Sequence, residues 1–268
     1  MQRIASRHNQ RLREVARLIA SSRDRRKSGR CVLEGTHLVD VYGARVGAPE
    51  TLVVLDEALE RRDVANVVER VPSSRTIVVS RSLFAELATL PADVAMLAVV
   101  PTPKPAVTSP GSFCLLLEDV QDPGNVGTMI RTAAAAGVDQ VLLSPHCAFA
   151  WSPKVLRAAQ GAHFLSTLVE DVDLLAWMDA FRADGGRTLA SVVSGKPSLY
   201  AANLTGRIAI AVGSEGGGLT PPLLAQADAR IAIPMAAGSE SLNAAAAAAV
   251  MLFEAVRQRT RPPRADGF

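Results

Sequence analysis

Residues 117–131 combine an apolar run, a glycine-bearing turn and a helix whose polar side chains are suited to ligand binding. Asn125 lies near the predicted helix start and Arg131 almost two turns later, so an amide and a guanidinium can be presented near one pocket. Taken alone, these residues also fit a Gly-Asn turn followed by an ordinary helical arginine.

Residues 213–219 form a glycine-dense loop with one carboxylate, Glu215, directly after the apolar run 208–212. Glycine lets backbone amide groups approach a ligand closely, and ligands favour the carboxyl ends of strands. A flexible connector is the alternative interpretation. A lone carboxylate among glycines favours binding over that alternative.

A third segment begins with the apolar run 231–235 and continues to Ser241, Leu242 and Asn243 at the start of an alanine-rich helix. Ser241 is predicted to cap this helix, where its hydroxyl would lie at the positive helix end. Taken alone, the pattern favours capping over a chemical role.

The composition agrees with a fold in which strands end at one edge of a sheet. Of 268 residues, 49% are hydrophobic and only 4% are aromatic. The core is therefore expected to consist of Leu, Val, Ile and Ala side chains between helices and sheets. Because the length also suits two modest domains, we predict an α/β protein with two domains.

The proline-rich stretch 101–111 is predicted to be a linker between an N-terminal α/β domain, residues 1–100, and a second domain, residues 112–260. Residues 261–268 are predicted to be a disordered tail. The predicted strands cover residues 31–34, 51–55, 76–79, 95–100, 113–118, 140–143, 188–192, 207–212 and 230–233. The predicted helices include residues 9–22, 36–46, 57–70, 81–90 and 242–258.

Basic residues are concentrated near the N-terminus, although the net charge of the chain is only +3. Such a cluster suits phosphate backbones, and a solvated arginine-rich helix face is the alternative. The candidate RNA contacts are Arg7, Arg11, Arg25, Arg26 and Lys27. Ser152 is predicted to cap a helix beginning near Pro153, although Lys154 and Arg157 there also fit RNA contacts.

Other classes of site have no signal in the sequence. The cysteines are Cys31, Cys114 and Cys147, and their wide spacing predicts neither disulfides nor a zinc site, which fits a reducing cytoplasm. The histidines are His8, His37, His146 and His163, and they lack metal-ligand spacing. The apolar runs are too short to span a bilayer, so we expect no membrane segment. From the cysteine and histidine spacing we expect no metal, and we expect a cytoplasmic location.

Together, the three segments resemble the motifs of the SpoU/TrmH family of RNA 2′-O-ribose methyltransferases, within the SPOUT superfamily. Asn125 and Arg131 match the first motif, residues 213–219 the second, and residues 233–235 with 241–243 the third. The resemblance covers about residues 113–257. Ser214 stands where the family often has Asn, and Ala244 where Val is usual.

The N-terminal half resembles, more loosely, the accessory substrate-binding domain of ribosomal-RNA members, a small domain like ribosomal protein L30e. The residues that carry this likeness are 4–6, Asn9 and 33–35. Transfer-RNA members usually lack such a domain, so the resemblance implies ribosomal RNA, of the large subunit, as the substrate. Deleting residues 1–100 is then expected to preserve cofactor binding and abolish RNA selection.

The resemblance implies a catalytic domain with a C-terminal trefoil knot that holds S-adenosylmethionine at a homodimer interface. The residues it assigns to the cofactor are Gly213, Ser214, Gly216, Gly218, Leu219, Ile233, Met235 and Leu242. A dinucleotide-binding fold is disfavoured, because Gly-x-Gly-x-x-Gly spacing after an early strand is missing.

The catalytic residues implied by the resemblance are Arg131, Asn125, Glu215, Ser241 and Asn243. Family proposals make the arginine a general base, but a guanidinium scarcely deprotonates in proteins. We favour electrostatic stabilisation of the ribose hydroxyl by Arg131. In this hypothesis, Asn125 and Glu215 orient Arg131, while Ser241 and Asn243 arrange the substrate phosphate and the loop.

Four alternatives stay open at this point: a transfer-RNA methyltransferase, an antibiotic-resistance ribosomal-RNA methyltransferase, a non-catalytic ribosome assembly factor, and another cofactor-using α/β enzyme such as a dehydrogenase. The complete set of catalytic residues argues against the non-catalytic factor. Binding of a nicotinamide dinucleotide would identify the dehydrogenase. The sequence does not identify the nucleotide modified, its base, or the order in which cofactor and RNA bind.

Overall fold

The computed structural model describes residues 1–88, 94–103, 110–195 and 197–260. The chain divides into two units, one of Met1–Lys104 with Trp151–Phe164 and one of Pro105–Ala150 with Leu165–Phe268. Of the predicted linker, residues 104–109 lie outside the described residues, as does the predicted tail 261–268. Pro101 and Thr102 belong to the first unit instead, because the Thr102 N–H donates to the Gly29 carbonyl at 2.8 Å.

The first unit contains a five-stranded mixed sheet with helices. Its strands are β1 (Gln2–Ile4), β2 (Arg30–Glu34), β3 (Thr51–Leu55), β4 (Thr76–Val79) and β5 (Met96–Pro101), in the order β1-β4-β3-β5-β2. β1, β4 and β3 are parallel, and β5 is antiparallel to β3 and β2. Its helices are α1 (Gln10–Ala20), α2 (Ser22–Ser28), α3 (Thr36–Arg45), α4 (Arg62–Val68) and α5 (Arg81–Leu87).

The elements of this unit follow the predictions closely, with four differences. The predicted helix 81–90 is shorter in the structure, since α5 ends at Leu87, and residues 89–90 lie outside the described residues. The strand β1 was not predicted, since three residues carry no periodic pattern. The predicted helix 9–22 ends early because the Ser21 side chain accepts the Asp24 N–H and starts α2. The predicted helix 57–70 is divided into a 3-10 turn, Asp56–Ala58, and α4.

The second unit contains a six-stranded sheet in which every neighbouring pair is parallel. Its elements, with α7 in chain order, are β6 (Phe113–Leu117), α6 (Pro123–Ala135), β7 (Gln140–Leu143), α7 (Pro153–Ala159), β8 (Thr167–Val169), α8 (Leu174–Ala183), β9 (Arg187–Val192), β10 (Ile208–Val212), α9 (Pro221–Gln226), β11 (Ala229–Ala232) and α10 (Ala244–Thr260). The strand order is β11-β9-β10-β6-β7-β8. Residues Leu174, Met178 and Phe181 of α8 pack in one buried cluster with side chains of β6, β9 and β10.

The helix α7 belongs spatially to the first unit, although the sequence places it within the predicted catalytic domain. Ser152 caps it by accepting the Val155 N–H, as predicted, and Pro153 occupies its first turn. Phe164 makes an edge-to-face contact with Tyr42 at 5.3 Å between ring centroids. The first unit is therefore built from two stretches of sequence that are 46 residues apart, 105–150 lying between them.

Candidate active site

The strand order places a topological switch between β6 and β10. From β6 the sheet continues to β7 and β8 on one side, and to β10, β9 and β11 on the other. In parallel sheets of this kind, ligands bind beyond the carboxyl ends of the strands where the order reverses. The Glu118 N–H donates to the Val212 carbonyl at 2.9 Å, so the loops that follow β6 and β10 begin side by side.

The loop after β10 is closed on itself. The N–H groups of Ser214 and Gly218 each donate to the other residue's carbonyl, at 3.1 and 3.0 Å. Gly218 has a φ of 66°, which glycine adopts without strain. A Cβ at Gly213 would lie 2.1 Å from the Gly218 carbonyl carbon, so only glycine fits there. Gly213 and Gly218 therefore serve the shape of the loop, which argues against a flexible connector.

A cavity of about 500 Å³ opens beside this loop at the carboxyl ends of β9, β10 and β11. Every residue that the resemblance assigned to the cofactor lines it: Gly213, Ser214, Gly216, Gly218, Leu219, Ile233, Met235 and Leu242. Their individual roles stay predictions. Sequence reasoning missed Ser191, Val192 and Val193, which also line the cavity, although the predicted strand 188–192 points to the same sheet edge.

Three of the predicted catalytic residues form a hydrogen-bonded chain. The Asn243 side-chain amide donates to the Asn125 carbonyl oxygen at 3.0 Å, and the Asn125 amide donates to Glu215 Oε1 at 2.8 Å. Residues that are far apart in sequence thus meet at the loop. The polarity of Asn125 is fixed, because its oxygen accepts on one side and its nitrogen donates on the other.

Asn243 also caps α10, and the predicted cap at Ser241 is wrong. Asn243 Oδ1 accepts the N–H groups of Ala245 and Ala246, at 2.9 and 3.2 Å, and α10 begins at Ala244. Since the side-chain oxygen is used by the helix, its nitrogen is left to donate to Asn125. Ser241 lies before the helix and lines the cavity.

Glu215 is held in its charged form. Partial burial opposes the charge, but the Asn125 amide and the backbone N–H groups of Glu215, Asp122 and Gln121 outweigh it and lower the pKa of the carboxyl. Glu215 is therefore an acceptor at neutral pH and not an acid. This state matches the direction of the hydrogen bond from Asn125.

Arg131 lies on α6, outside this hydrogen-bonded chain. Its side chain is exposed, and among the described residues it makes no hydrogen bond or ion pair. The start of α6 is fixed by Asp122, which accepts the Asn125 N–H at 2.8 Å. The orientation of Arg131 by Asn125 and Glu215 stays a prediction, since the structure joins those two residues to Asn243 instead.

The predicted RNA contacts divide into two groups. Arg7, Arg26 and Lys27 are exposed. Arg11 is partly exposed and donates to the carbonyls of Ser74 and Arg75, at 3.3 and 2.8 Å. The predicted RNA contact at Arg25 is wrong. Arg25 is 5% exposed and donates to the Leu18 and Ile19 carbonyls at the end of α1, so phosphate cannot reach it.

Metal-binding clusters and membrane-spanning helices are absent from the part of the chain that the structure describes. No three His, Cys, Asp or Glu residues there lie close enough together to hold a metal ion. No helix there combines the length and the apolar character that crossing a membrane requires.

A parallel sheet with a small-molecule cavity at the carboxyl ends of its strands is typical of α/β enzymes. The model of the SpoU rRNA Methylase family matches residues 112–253, and the chain belongs to this family. It is accordingly a methyltransferase whose cofactor is S-adenosylmethionine. The family match begins just before β6 and ends within α10, so it covers the strands that surround the cavity.

The similarity extends beyond the catalytic domain. The chain is 31% identical over 253 residues to 23S rRNA (guanosine(2553)-2′-O)-methyltransferase RlmP of Bacillus subtilis (strain 168), covering 94% of this chain and 98% of the relative. The SpoU methyltransferase AviRb from Streptomyces viridochromogenes, in complex with AdoMet, is similar with a TM-score of 0.83 and 26% identity, over 94% of this chain and 98% of AviRb. An RNA 2′-O ribose methyltransferase has a TM-score of 0.81 and 27% identity, over 96% and 99% of the two chains.

Proposed function

We propose that this protein transfers a methyl group from S-adenosylmethionine to a ribose 2′-hydroxyl of 23S ribosomal RNA. The observation that carries the proposal is the Asn243–Asn125–Glu215 chain at the cavity of a SpoU rRNA methylase. The relative RlmP is named for 2′-O-methylation of a 23S rRNA guanosine and matches this chain nearly end to end. Guanosine is accordingly the base that we propose for the target nucleotide.

The residues around the cavity fit the cofactor. A volume of about 500 Å³ lies within the range of small-molecule pockets, roughly 300–1,000 Å³. Val192, Leu219 and Ile233 provide apolar walls for an adenine ring, and the glycine loop provides backbone amide groups for polar edges. When bound, S-adenosylmethionine supplies an electrophilic methyl group.

The chain's own residues must then place the ribose hydroxyl and stabilise its negative charge as the proton leaves. We assign this stabilisation to Arg131, whose exposed guanidinium has no partner among the described residues and is available to RNA. Ser241 and Asn243 arrange the substrate phosphate and the loop. Glu215 stays ionised and holds the Asn125 amide, which keeps the loop and the start of α6 in register.

Substitution of Arg131 tests this role. Arg131→Ala should lower the single-turnover methylation rate at least a hundredfold, about 3 kcal/mol of transition-state stabilisation, while S-adenosylmethionine binds as in the wild type. Arg131→Lys keeps the charge and should recover part of the rate. A rate within a few-fold of wild type for Arg131→Ala would remove the arginine from the mechanism.

The finer architecture is part of the proposal. The C-terminal trefoil knot is supported by the meeting of the segments after β9, β10 and β11 around one cavity. The homodimer is supported by Val250 and Phe253, apolar residues of α10 that are 36% and 48% exposed. The likeness of the N-terminal unit to ribosomal protein L30e is supported by a small mixed sheet covered by helices.

RNA selection is proposed to reside in the first unit. Arg7, Arg26 and Lys27 are exposed there and supply a non-specific attraction to phosphates that salt should weaken. The domain itself would recognise the shape of its RNA target. We place the protein in the cytoplasm, where ribosomal RNA is available.

The decisive experiment is tritium transfer from labelled S-adenosylmethionine to unmodified ribosomal and transfer RNA pools. Nuclease digestion and nucleoside mass spectrometry then identify the product. A 2′-O-methylguanosine from 23S RNA is the expected result. Label in transfer RNA would overturn the proposed substrate, and cofactor binding without transfer to either pool would favour a non-catalytic assembly factor or an assembly-intermediate substrate.

A further inference from the structure

A second carboxylate, Glu118, is hydrogen-bonded to Thr220 at the far end of the glycine loop, outside the cavity. Glu118 follows β6, and its Oε2 accepts the Thr220 N–H at 2.7 Å. Its Oε1 accepts the Thr220 hydroxyl, also at 2.7 Å. Neither residue lines the cavity. One carboxylate thus uses both oxygens on a single residue 102 positions later in the sequence.

Thr220 is the point at which the glycine loop ends. The loop begins at Gly213, where β10 fixes the backbone, and its last residue, Leu219, is 5% exposed and lines the cavity. The next residue, Thr220, precedes α9. Hydrogen bonds to a carboxylate are stronger than those between neutral groups, so Glu118 restrains this end of the loop.

The backbone beside Glu118 is itself fixed in an uncommon conformation. Asp119 has a φ of 55°, in the left-handed region that non-glycine residues seldom adopt. The Ser144 hydroxyl accepts the Asp119 N–H at 2.9 Å and donates to Asp119 Oδ1 at 2.6 Å. A strained residue that is held this firmly turns the chain directly after Glu118. The backbone from which the Glu118 side chain extends is therefore fixed by β6 and by the Ser144 contacts of Asp119.

We propose that Glu118 is a positioning residue for the cofactor. Glu118 acts by holding Thr220, and thereby the cavity wall that the glycine loop forms. It rests on the proposed function, because the cavity must bind S-adenosylmethionine for the loop to matter. Glu215 already attaches the loop to the segment that follows β6, through Asn125 and the backbone of Asp122 and Gln121, and Glu118 attaches the far end of the loop to the same segment. The binding site is thereby formed before the cofactor arrives, so that less ordering free energy is lost on binding.

The same unit contains a matched control. Asp228 Oδ2 accepts the Thr188 N–H at 2.7 Å and the Thr188 hydroxyl at 2.9 Å. This carboxylate–threonine pair joins the starts of β9 and β11, and neither residue lines the cavity. Removing Asp228 therefore breaks similar chemistry at the opposite ends of the strands from the cavity and the glycine loop.

The experiment titrates S-adenosylmethionine into the full-length protein by calorimetry, without RNA, for the wild type, Glu118→Ala, Thr220→Val and Asp228→Ala. Glu118→Ala should raise the Kd about tenfold, as expected for the loss of a charge-assisted hydrogen bond. Thr220→Val removes only the hydroxyl contact and should raise the Kd about threefold. In the double variant Glu118→Ala/Thr220→Val, the loss of binding free energy should be smaller than the sum of the two single losses, because both substitutions break one interaction.

Further measurements separate positioning from general destabilisation. Glu118→Gln keeps an acceptor and should recover part of the affinity, while Asp228→Ala should lower the melting temperature and leave the Kd within about twofold. At saturating S-adenosylmethionine, the single-turnover rate of Glu118→Ala should stay within about threefold of wild type. Hydrogen exchange should show lost protection at residues 213–219 in that variant.

Equal Kd values for the wild type, Glu118→Ala and Thr220→Val would overturn the positioning role while leaving the proposed function intact. An Asp228→Ala Kd that rises as much as that of Glu118→Ala would also overturn it, since the effect would then be one of stability. If Glu118→Ala does not fold, Thr220→Val and Glu118→Gln decide the question. A wild-type protein that fails to bind S-adenosylmethionine would overturn both the positioning role and the proposed function.

Discussion

Asn125 is the residue on which the geometry of the site converges. Its amide nitrogen donates to Glu215, its oxygen accepts from Asn243, and its backbone N–H donates to Asp122. An amide offers both a donor and an acceptor on one planar group, which neither a carboxylate nor a hydroxyl of the same length can reproduce in this arrangement. The family pattern identified Asn125 as important, but the contacts explain why Asn is required.

Asn125→Asp should therefore be more damaging than its small change in shape suggests. The new carboxylate keeps the acceptor but loses the donor and faces the ionised Glu215, and the pKa of one of these two carboxyls must then rise. We expect single-turnover methylation to fall at least tenfold.

Asn203→Asp provides the control for that substitution, since Asn203 Oδ1 only accepts hydrogen bonds, from the Thr205 N–H and hydroxyl. The single-turnover methylation rate of Asn203→Asp, measured in the same way, should match that of the wild type. Equal rates for both variants would show that the donor of Asn125 is dispensable.

At the scale of elements, the site is formed by loops that follow the strands, and contacts between neighbouring elements keep those loops in place. Asp228 links three elements: it precedes β11, accepts from Thr188 of β9, and accepts from the Arg182 guanidinium of α8 at 3.0 Å. Partial burial opposes its charge, but the Thr188 N–H, Arg182 and the Thr188 hydroxyl lower the pKa of Asp228 on balance.

The sign of this pKa shift predicts how stability depends on pH. A carboxyl whose folded-state pKa is lowered stabilises the fold above its unfolded pKa, about 3.9, and that stabilisation is lost as the pH falls through the folded pKa. Asp228→Ala should lower the free energy of unfolding by about 2 kcal/mol at pH 7. Urea denaturation at pH 7, 5 and 3 should show the difference from wild type shrinking only below about pH 4. A difference that grows towards low pH would contradict this assignment.

The glycine loop gives a second prediction at this scale. In Gly213→Ala, the added methyl carbon would lie 2.3 Å from the Leu219 backbone nitrogen, so the loop must open. The Kd for S-adenosylmethionine should rise at least tenfold, because the wall of the cavity is displaced.

Gly43→Ala is the matched control, because Gly43 lies within α3 and nothing lies within 4 Å of the added carbon. It should raise the free energy of unfolding by about 0.5–1 kcal/mol and leave the Kd unchanged. Calorimetric titration and urea denaturation of both variants provide the measurements. Similar Kd values for Gly213→Ala and the wild type would show that the loop tolerates a side chain.

At the scale of the whole molecule, the first unit depends on residues 151–164. In this unit Trp151 is 3% exposed and Leu156 1%, and a Cβ at Gly161 would lie 3.1 Å from the Val41 side chain. Removal of residues 1–104 should therefore expose these apolar groups in the remaining chain.

The truncated chain 105–268 should still bind S-adenosylmethionine, because the cavity residues all belong to the second unit. It should also bind more of the dye ANS and aggregate at lower temperature than the full-length protein. A variant of this fragment with Trp151 and Leu156 replaced by Ser should reduce both effects. Equal dye binding by the fragment and the full chain would contradict the prediction, as would a fragment that still methylates its RNA target selectively.

The sequence predicted the elements well, because strands and helices leave local patterns. The residues that the family resemblance assigned to the cofactor lie together around one cavity, and their roles stay predictions. Strands such as β3, β4 and β7 were predicted to the residue, since apolar runs bounded by polar turns define them. The Glu118–Thr220 pair was not predicted, because its partners are 102 positions apart and neither belongs to a periodic pattern. The capping by Asn243 was missed because Ser, Asn and Asp are equally good caps, and only the path of the backbone selects among them.

Contacts between residues far apart in the sequence also limited the prediction of the domain boundary. The proline-rich stretch indicated where one domain ends, but no local signal shows that a later helix returns to that domain. The association is visible in long-range contacts such as those of Phe164 with Tyr42 and of α7 with β2, and such contacts arise from complementary surfaces and not from spacing.

The split construction of the first unit has a consequence for how the chain is made. Synthesis proceeds from the N-terminus at about 5–20 residues per second, so Phe164 is added roughly 3–12 s after Lys104. During that interval the newborn N-terminal segment is present without the helix that completes it, and its apolar face is open to chaperones. We expect it to reach its final packing only after residues 105–150 of the methyltransferase domain have also left the ribosome.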